Sequence, residues 1–325
     1  MFSRSFPHLI IGAALALSVG CATSQPYTET EHTPFLQIFN RVSKSDSAAQ
    51  LAYAQHLKAR SKEKAAGKAF KALVIRWPGS PEAPTAQYGY AQYMDSRGKF
   101  LEAFDEYQLL MDRYAGQFPY EEVLARQFDI AKFILSKRKG KFLFFGGFQA
   151  PERAVPLFEK IVRNAPRWKN APEAQYLAGR ANELSDQYEL AVVAYLTLQN
   201  VYPTSPYAEL AAFGRATCWY KMSKESPNDE DALEQAWAAV SLFMASFPSS
   251  PDIPAAKAYK DRLFKRRVDA SYDRALYYDK IARKPESALM SYQTFVKLFP
   301  TSEYTSVATA RIEELSKTVE TTHEN

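Results

Sequence analysis

One spacing returns six times along this chain. An Ala is followed after three residues by a bulky residue and after seven more by Pro. The copies are Ala66/Phe70/Pro78, Ala154/Phe158/Pro166, Ala191/Tyr195/Pro203, Ala236/Val240/Pro248 and Ala288/Tyr292/Pro300. Ala103/Tyr107 is a sixth copy, with Ala115 where Pro would fall. A separation of four puts Ala and its partner on one helix face. The small residue lets a neighbouring helix approach, and the large one fills the space beside it. Pro lacks an N–H and clashes with a preceding carbonyl, so it closes the helix. A supersecondary unit repeated this often predicts a stacked array of helices, an architecture suited to binding other proteins.

The local patterns agree with helical hairpins. Ala191, Ala194, Tyr195, Leu198 and Val201 share one face, and so do Leu233, Ala236, Trp237, Val240, Phe243 and Phe247. The turns Pro78-Gly79-Ser80-Pro81, Pro203-Thr204-Ser205-Pro206, Pro248-Ser249-Ser250-Pro251 and Pro300-Thr301-Ser302-Glu303 each follow a motif copy. Ser80, Ser205, Ser250 and Ser302 are expected N-caps, with the next residue at the first helical position. Successive motif alanines are 37, 51, 37, 45 and 52 residues apart. The longer intervals hold a basic, aromatic insert at 137–148, a polar loop at 224–230 and one long helix expected from about Ala255 to Ile281. A last helix from Tyr304 to about Lys317 closes the array, and the polar tail 318–325 is expected to be disordered. The expected fold class is all-α, a solenoid of about five to six hairpins over residues 45–317. The spacing, the Ser-Pro turns and the aromatic-Pro helix ends resemble tetratricopeptide repeats.

The N-terminus reads as an export signal over residues 1–20. Arg4 is followed by an apolar run of eleven residues, Leu9 to Val19, too short to span a bilayer as a helix. Ser18-Val19-Gly20-Cys21 resembles the lipobox of bacterial lipoproteins, in which cleavage before the Cys is followed by its lipidation. Cys21 is therefore the expected lipid attachment. Ala22, where inner-membrane retention favours Asp, makes the outer membrane the implied address. Residues 21–44 are polar apart from Phe35-Leu36-Gln37-Ile38-Phe39 and read as a tether, with this island docking on the first repeat.

Composition narrows the chemistry. A formal net charge of +5, set against 41 basic and 36 acidic residues, is too mild for a nucleic-acid binder. Aromatics reach 14% and recur in the repeats, where they fill gaps between helices. Cys218 is the second of two cysteines and reads as a small buried core thiol, so no disulfide framework is expected. His8 lies in the signal, His32 and His323 in the ends, and His56 stands alone. No HExxH, CxxC, phosphate loop, dinucleotide fingerprint or GxSxG occurs, so neither metal, cofactor nor catalytic residues are expected.

Two stretches are candidate partner-binding surfaces. The insert carries Lys137, Arg138, Lys139 and Lys141, then Phe142, Phe144, Phe145 and Phe148, with Gly140, Gly146 and Gly147 interrupting any helix. It reads as a projecting loop for a partner or anionic lipid, or as aromatics folded back between repeats. The second is a basic helix face with Lys257, Lys260, Arg262, Lys265, Arg266 and Arg267. It could meet an acidic partner, or be a solvated face neutralised by Asp252, Asp261 and Asp269.

A lipobox ahead of a tetratricopeptide array resembles the BamD family of outer-membrane assembly lipoproteins. The segments that carry the likeness are Cys21 with its tether, Pro203-Thr204-Ser205-Pro206-Tyr207-Ala208, and the run from Arg266 through Tyr278 into Glu286–Tyr292 and Leu298-Phe299-Pro300. The resemblance implies a non-enzymatic, lipid-anchored periplasmic scaffold. Its implied partners are a POTRA-containing barrel protein, other assembly subunits and unfolded outer-membrane proteins. Other readings of the same pattern are a tetratricopeptide adaptor for peptidoglycan or division enzymes, a lytic enzyme and a sugar-binding lipoprotein. A lytic enzyme would need a non-repeat catalytic domain, for which the chain has no room, and the regular repeats disfavour the last.

Overall fold

The computed structural model describes residues 41–136, 138–139 and 148–323. The expected signal, Cys21 and most of the tether, including its apolar island, lie outside the described residues. Thirteen α-helices occur among the described residues. They are α1 (Ser47–Ala59), α2 (Glu63–Arg76), α3 (Ala83–Ser96), α4 (Phe100–Arg113), α5 (Tyr120–Ser136), α6 (Val155–Asn164), α7 (Ala171–Leu184), α8 (Tyr188–Val201), α9 (Tyr207–Glu225), α10 (Glu230–Ser246), α11 (Ile253–Leu276), α12 (Pro285–Leu298) and α13 (Thr305–His323). The protein is all-α and tetratricopeptide-like. Its single strand pairing is a two-residue antiparallel ladder, Arg138–Lys139 against Phe148–Gln149 (β1 and β2).

Residues up to Ala83 and from Pro84 onward form two compact units. In the first, α1 packs on α2 as one hairpin. In the second, each helix packs on the next from α5 to α13, and α7 also touches α9. That contact between one hairpin's first helix and the next hairpin's first helix is what stacks a tetratricopeptide array.

All six motif pairs are buried: Ala66 with Phe70, Ala103 with Tyr107, Ala154 with Phe158, Ala191 with Tyr195, Ala236 with Val240 and Ala288 with Tyr292. A second rule, not read from the sequence, accompanies them. Gln50, Gln87 and Gln175 donate Nε2 to the backbone carbonyls of Ala69, Glu106 and Ala194 at 3.1, 3.0 and 3.0 Å. Each acceptor immediately precedes the motif's large residue. The bond ties the first helix of a hairpin to the second and satisfies a buried amide.

The prolines act one residue ahead of themselves. Trp77, Ala165, Tyr202, Phe247 and Phe299, each just before Pro, leave the α region with φ from −141 to −128° and ψ from 54 to 66°. The clash of the Pro ring with the preceding residue imposes this. Tyr114, followed by Ala115, takes a similar turn at φ −126° and ψ 38°. The exit geometry therefore belongs to the hairpin, and Pro reinforces it.

Several expectations need correction. Ser205, Ser250 and Ser302 are not the N-caps of their α-helices, which begin two or three residues later. Their hydroxyls accept from the N–H two residues on, Tyr207, Asp252 and Tyr304, so they open a tight turn that leads into the helix. Val201 is 55% exposed, and Leu198 is the last buried residue of the α8 stripe. The long helix starts at Ile253 and ends at Leu276, with Tyr277–Ile281 forming a π turn. The last helix continues to His323, so residues 318–323 are helical rather than a disordered tail. The stripe Ala308, Ile312, Leu315 is extended by the half-buried Val319, which carries the periodicity past Lys317.

Candidate interaction surfaces

The basic helix face is α11, and packing divides its cations. Arg266 donates Nη1 to Ser223 Oγ at 3.3 Å and Nη2 to the Pro227 carbonyl at 3.1 Å, both near the end of α9. Arg267 donates Nε to Glu234 Oε1 of α10 at 2.6 Å, and its guanidinium lies 4.6 Å from the Trp237 ring centre. Lys260 reaches the same indole at 5.1 Å, so two cations share one aromatic face. Arg262 donates to the Tyr220 hydroxyl at 3.2 Å. These bonds staple α11 onto α9 and α10. Of the three α11 residues singled out from sequence, Lys265 is exposed, while Arg266 and Arg267 are half-buried and spent within the fold. Beside them a cleft of about 510 Å³ lies between the α9–α10 loop and α11, with Asp229, Glu230, Asp269 and Asp273 facing Arg266 and Arg274.

Lys137, Lys141, Phe142, Phe144 and Phe145 lie outside the described residues. Arg138, Lys139 and Phe148 are placed by backbone alone, in the β1–β2 ladder, with Arg138 opposite Gln149 and Lys139 opposite Phe148. The ladder joins the two ends of the insert at the exit of α5.

A polar arrangement recurs at alternate hairpins, and the sequence reading missed it. Asp95, at the end of α3, takes Arg126 Nε and Nη2 of α5 at 2.5 and 2.7 Å, with the Tyr107 hydroxyl of α4 at 3.5 Å. Glu183, at the end of α7, takes the Tyr195 hydroxyl of α8 at 2.9 Å, Lys221 Nζ of α9 at 3.2 Å and Arg180 Nη1 at 2.8 Å. Asp279, in the π turn after α11, takes the Tyr292 hydroxyl of α12 at 3.4 Å and Arg311 Nε and Nη2 of α13 at 2.9 and 2.7 Å. Each acid thus joins the tyrosine of its own hairpin to a cation from the next. The acids' side chains are 14%, 6% and 3% exposed, in that order. The copies lacking a hydroxyl, Phe70, Phe158 and Val240, alternate with these along the chain. The Asp279 carboxyl is held below its usual range, chiefly by the Arg311 hydrogen bond. Burial is the main cause of the upward shifts at Tyr107, Tyr195 and Tyr292, the last to about 12. A pairing of non-adjacent residues in three dimensions leaves no local pattern; only the choice of Tyr over Phe hints at it.

The first of these triads borders a cleft of about 680 Å³ between α3, α4 and α5, where Tyr88 donates to Glu122 at 2.5 Å. Among the described residues, no three His, Cys, Asp or Glu side chains converge to hold a metal ion, and no helix is long and apolar enough to cross a membrane. Cys218 is fully buried, and burial pushes its thiol up to about 12.

Comparison with known proteins places these features. The C-terminal parts of a tetratricopeptide repeat-containing protein from Cytophaga hutchinsonii and this chain align at 16% identity, over 85% of this chain and 94% of the other, with a TM-score of 0.32. A tetratricopeptide repeat protein from Parabacteroides merdae aligns at 13% identity over 83% and 98%, with a TM-score of 0.29. Outer membrane protein assembly factor BamD of Neisseria meningitidis serogroup B is 28% identical over 134 residues, 40% of this chain and 47% of the relative. BamD of Caulobacter vibrioides is 26% identical over 97 residues, 30% of this chain and 32% of the relative. The chain thus spans about half the length of the first of these relatives and about a third of the second. Residues 169–322, which hold α7 to α13 and two of the three triads, match the YfiO family, described as outer membrane lipoprotein, and over this half the chain is similar to the BamD assembly factors.

Proposed function

We propose that this chain is a scaffold subunit of the machinery that assembles β-barrel proteins in the outer membrane. The observation that carries the reading is the match of residues 169–322 to an outer membrane lipoprotein family, reinforced by the likeness to BamD. In this reading Cys21 carries lipid and holds the array at the periplasmic face of the outer membrane. The array binds a POTRA-containing barrel protein, other assembly subunits and unfolded outer-membrane protein segments. Arrays of packed hairpins suit that work because they present long surfaces on a frame that does not reorganise, which lowers the entropy lost on binding. Membrane anchoring raises the local concentration of each partner. The insert 137–148 and Lys265 are the partner contacts we assign. Arg266 and Arg267 contribute by fixing α11, which presents Lys265.

Depletion of the protein in its native cell tests the function. Folded barrel proteins in the outer membrane are expected to fall, while lipoproteins of the same membrane persist. Unchanged barrel protein levels would overturn the reading. The anchor is tested separately: Cys21→Ser is expected to move the protein from the membrane to the soluble periplasmic fraction.

A further inference from the structure

The face of α8 turned away from the core is not polar, as the outer face of a surface helix ordinarily is. Tyr188, Ala191, Tyr195 and Leu198 are buried, while Leu190 and Val193 are 56% and 61% exposed. With Val155, Val162 and Ala194 these two line a groove of about 440 Å³ between α6 and α8, and Asn182 of α7 also lines it. Large aliphatic side chains left in water along a groove mark a contact surface.

A second observation specifies what the groove takes. Asn182 is 4% exposed, and its Oδ1 has no hydrogen-bond partner among the described residues. Its neighbour Gln175 spends its Nε2 on the Ala194 carbonyl and does not serve it. A buried acceptor without a donor is a standing cost that an incoming N–H removes. The rim carries one charge of each sign, Glu159 and Arg163, so an occupant of strong net charge gains nothing there. The volume accommodates a few aliphatic side chains and is far below the roughly 800 Å² per partner that a folded protein covers in a stable interface. An occupant that is linear, aliphatic, uncharged where it touches, and rich in free N–H groups is an extended polypeptide.

We propose that the α6–α8 groove binds an extended, unfolded polypeptide segment with alternating aliphatic residues, its side chains against Leu190 and Val193 and a backbone N–H on Asn182. This rests on the scaffold reading and assigns a place to unfolded barrel strands, in which aliphatic and polar residues alternate. Fluorescence anisotropy tests it, using detergent-solubilised full-length protein and a labelled peptide of about ten residues, one strand's length, alternating Val and Thr between terminal lysines. Saturable binding is expected. Val193→Asp, at an exposed position, is expected to weaken binding at least about tenfold with an unchanged melting temperature, a loss of order 1.4 kcal/mol. Leu242→Asp, equally solvent-facing at 53% exposure on α10, is the control and leaves binding intact. No saturable binding, or binding indifferent to Val193→Asp, overturns the proposal. So does a self-associating protein that Val193→Asp converts to monomer, since the groove would then face a second copy. If the peptide fails while depletion still removes barrel proteins from the membrane, the groove is wrong and the scaffold function stands.

Discussion

Tyr195 shows how closely the core is specified at the level of single atoms. A Cβ built on Gly179 of α7 would lie 2.7 Å from its ring, and one on Gly214 of α9 2.6 Å. The ring is held between two helix backbones, and its hydroxyl is fixed on Glu183. Replacing Gly by Ala in a helix gains up to about 1 kcal/mol in propensity. Overpacking a fully buried ring costs about 1–3 kcal/mol. The second effect wins because the ring is pinned at both ends, so Gly214→Ala is expected to lower stability by about 1 kcal/mol in a urea melt. A stabilised Gly214→Ala would show that the ring yields. Cys218 gives a chemical readout of the same region. With its thiol pushed up to about 12 and no solvent contact, alkylation at pH 8 is expected only as the protein unfolds, following the unfolding curve measured by circular dichroism.

Between elements, the triads decide how firmly successive hairpins are joined. Arg126 is 40% exposed, so its pair with Asp95 lies in water's reach, and Arg126→Ala is expected to cost about 1 kcal/mol or less. Asp279 is 3% exposed, and Arg311→Ala strands most of a buried carboxylate, at a cost of about 3 kcal/mol, with Lys280 offsetting part. Hydrogen exchange should place that loss in α12 and α13. The sign of the pH effect follows from the depressed Asp279 carboxyl. Its contribution is complete above its unfolded value of about 3.9 and is lost as pH falls through the lower folded value. Asp279→Asn should therefore flatten the stability profile below about pH 4. Such joints were not legible in the sequence. The Ala-aromatic-Pro spacing was, because it reports packing within one helix, where position alone sets the face. The triads and the glutamine bonds connect helices whose mutual placement only the fold supplies. The serine turns were half legible: the residues were right and the helix starts two to three positions off, because a tight turn intervenes. The end of α13 was missed because a polar composition outweighed one further apolar position, Val319.

For the whole molecule, the account separates frame from contact. Packing absorbs Arg266 and Arg267, leaves Lys265 outward and leaves the aliphatic face of α8 in water. The insert interrupts the repeat between α5 and α6, and a ladder joins its ends. Removing residues 140–147 is therefore expected to leave the melting temperature within a few degrees of the parent and to reduce partner recovery from envelopes. A collapse of the melting transition would instead make the insert part of the core. The central claim is that this array is a subunit of the barrel-assembly machinery. Its most direct test is purification of the tagged, lipidated protein from native envelopes in mild detergent, with quantitative mass spectrometry of what accompanies it. The account predicts a POTRA-containing outer-membrane barrel protein in near-equal amount. Recovery of cell-wall hydrolases or division proteins without that barrel protein would contradict it.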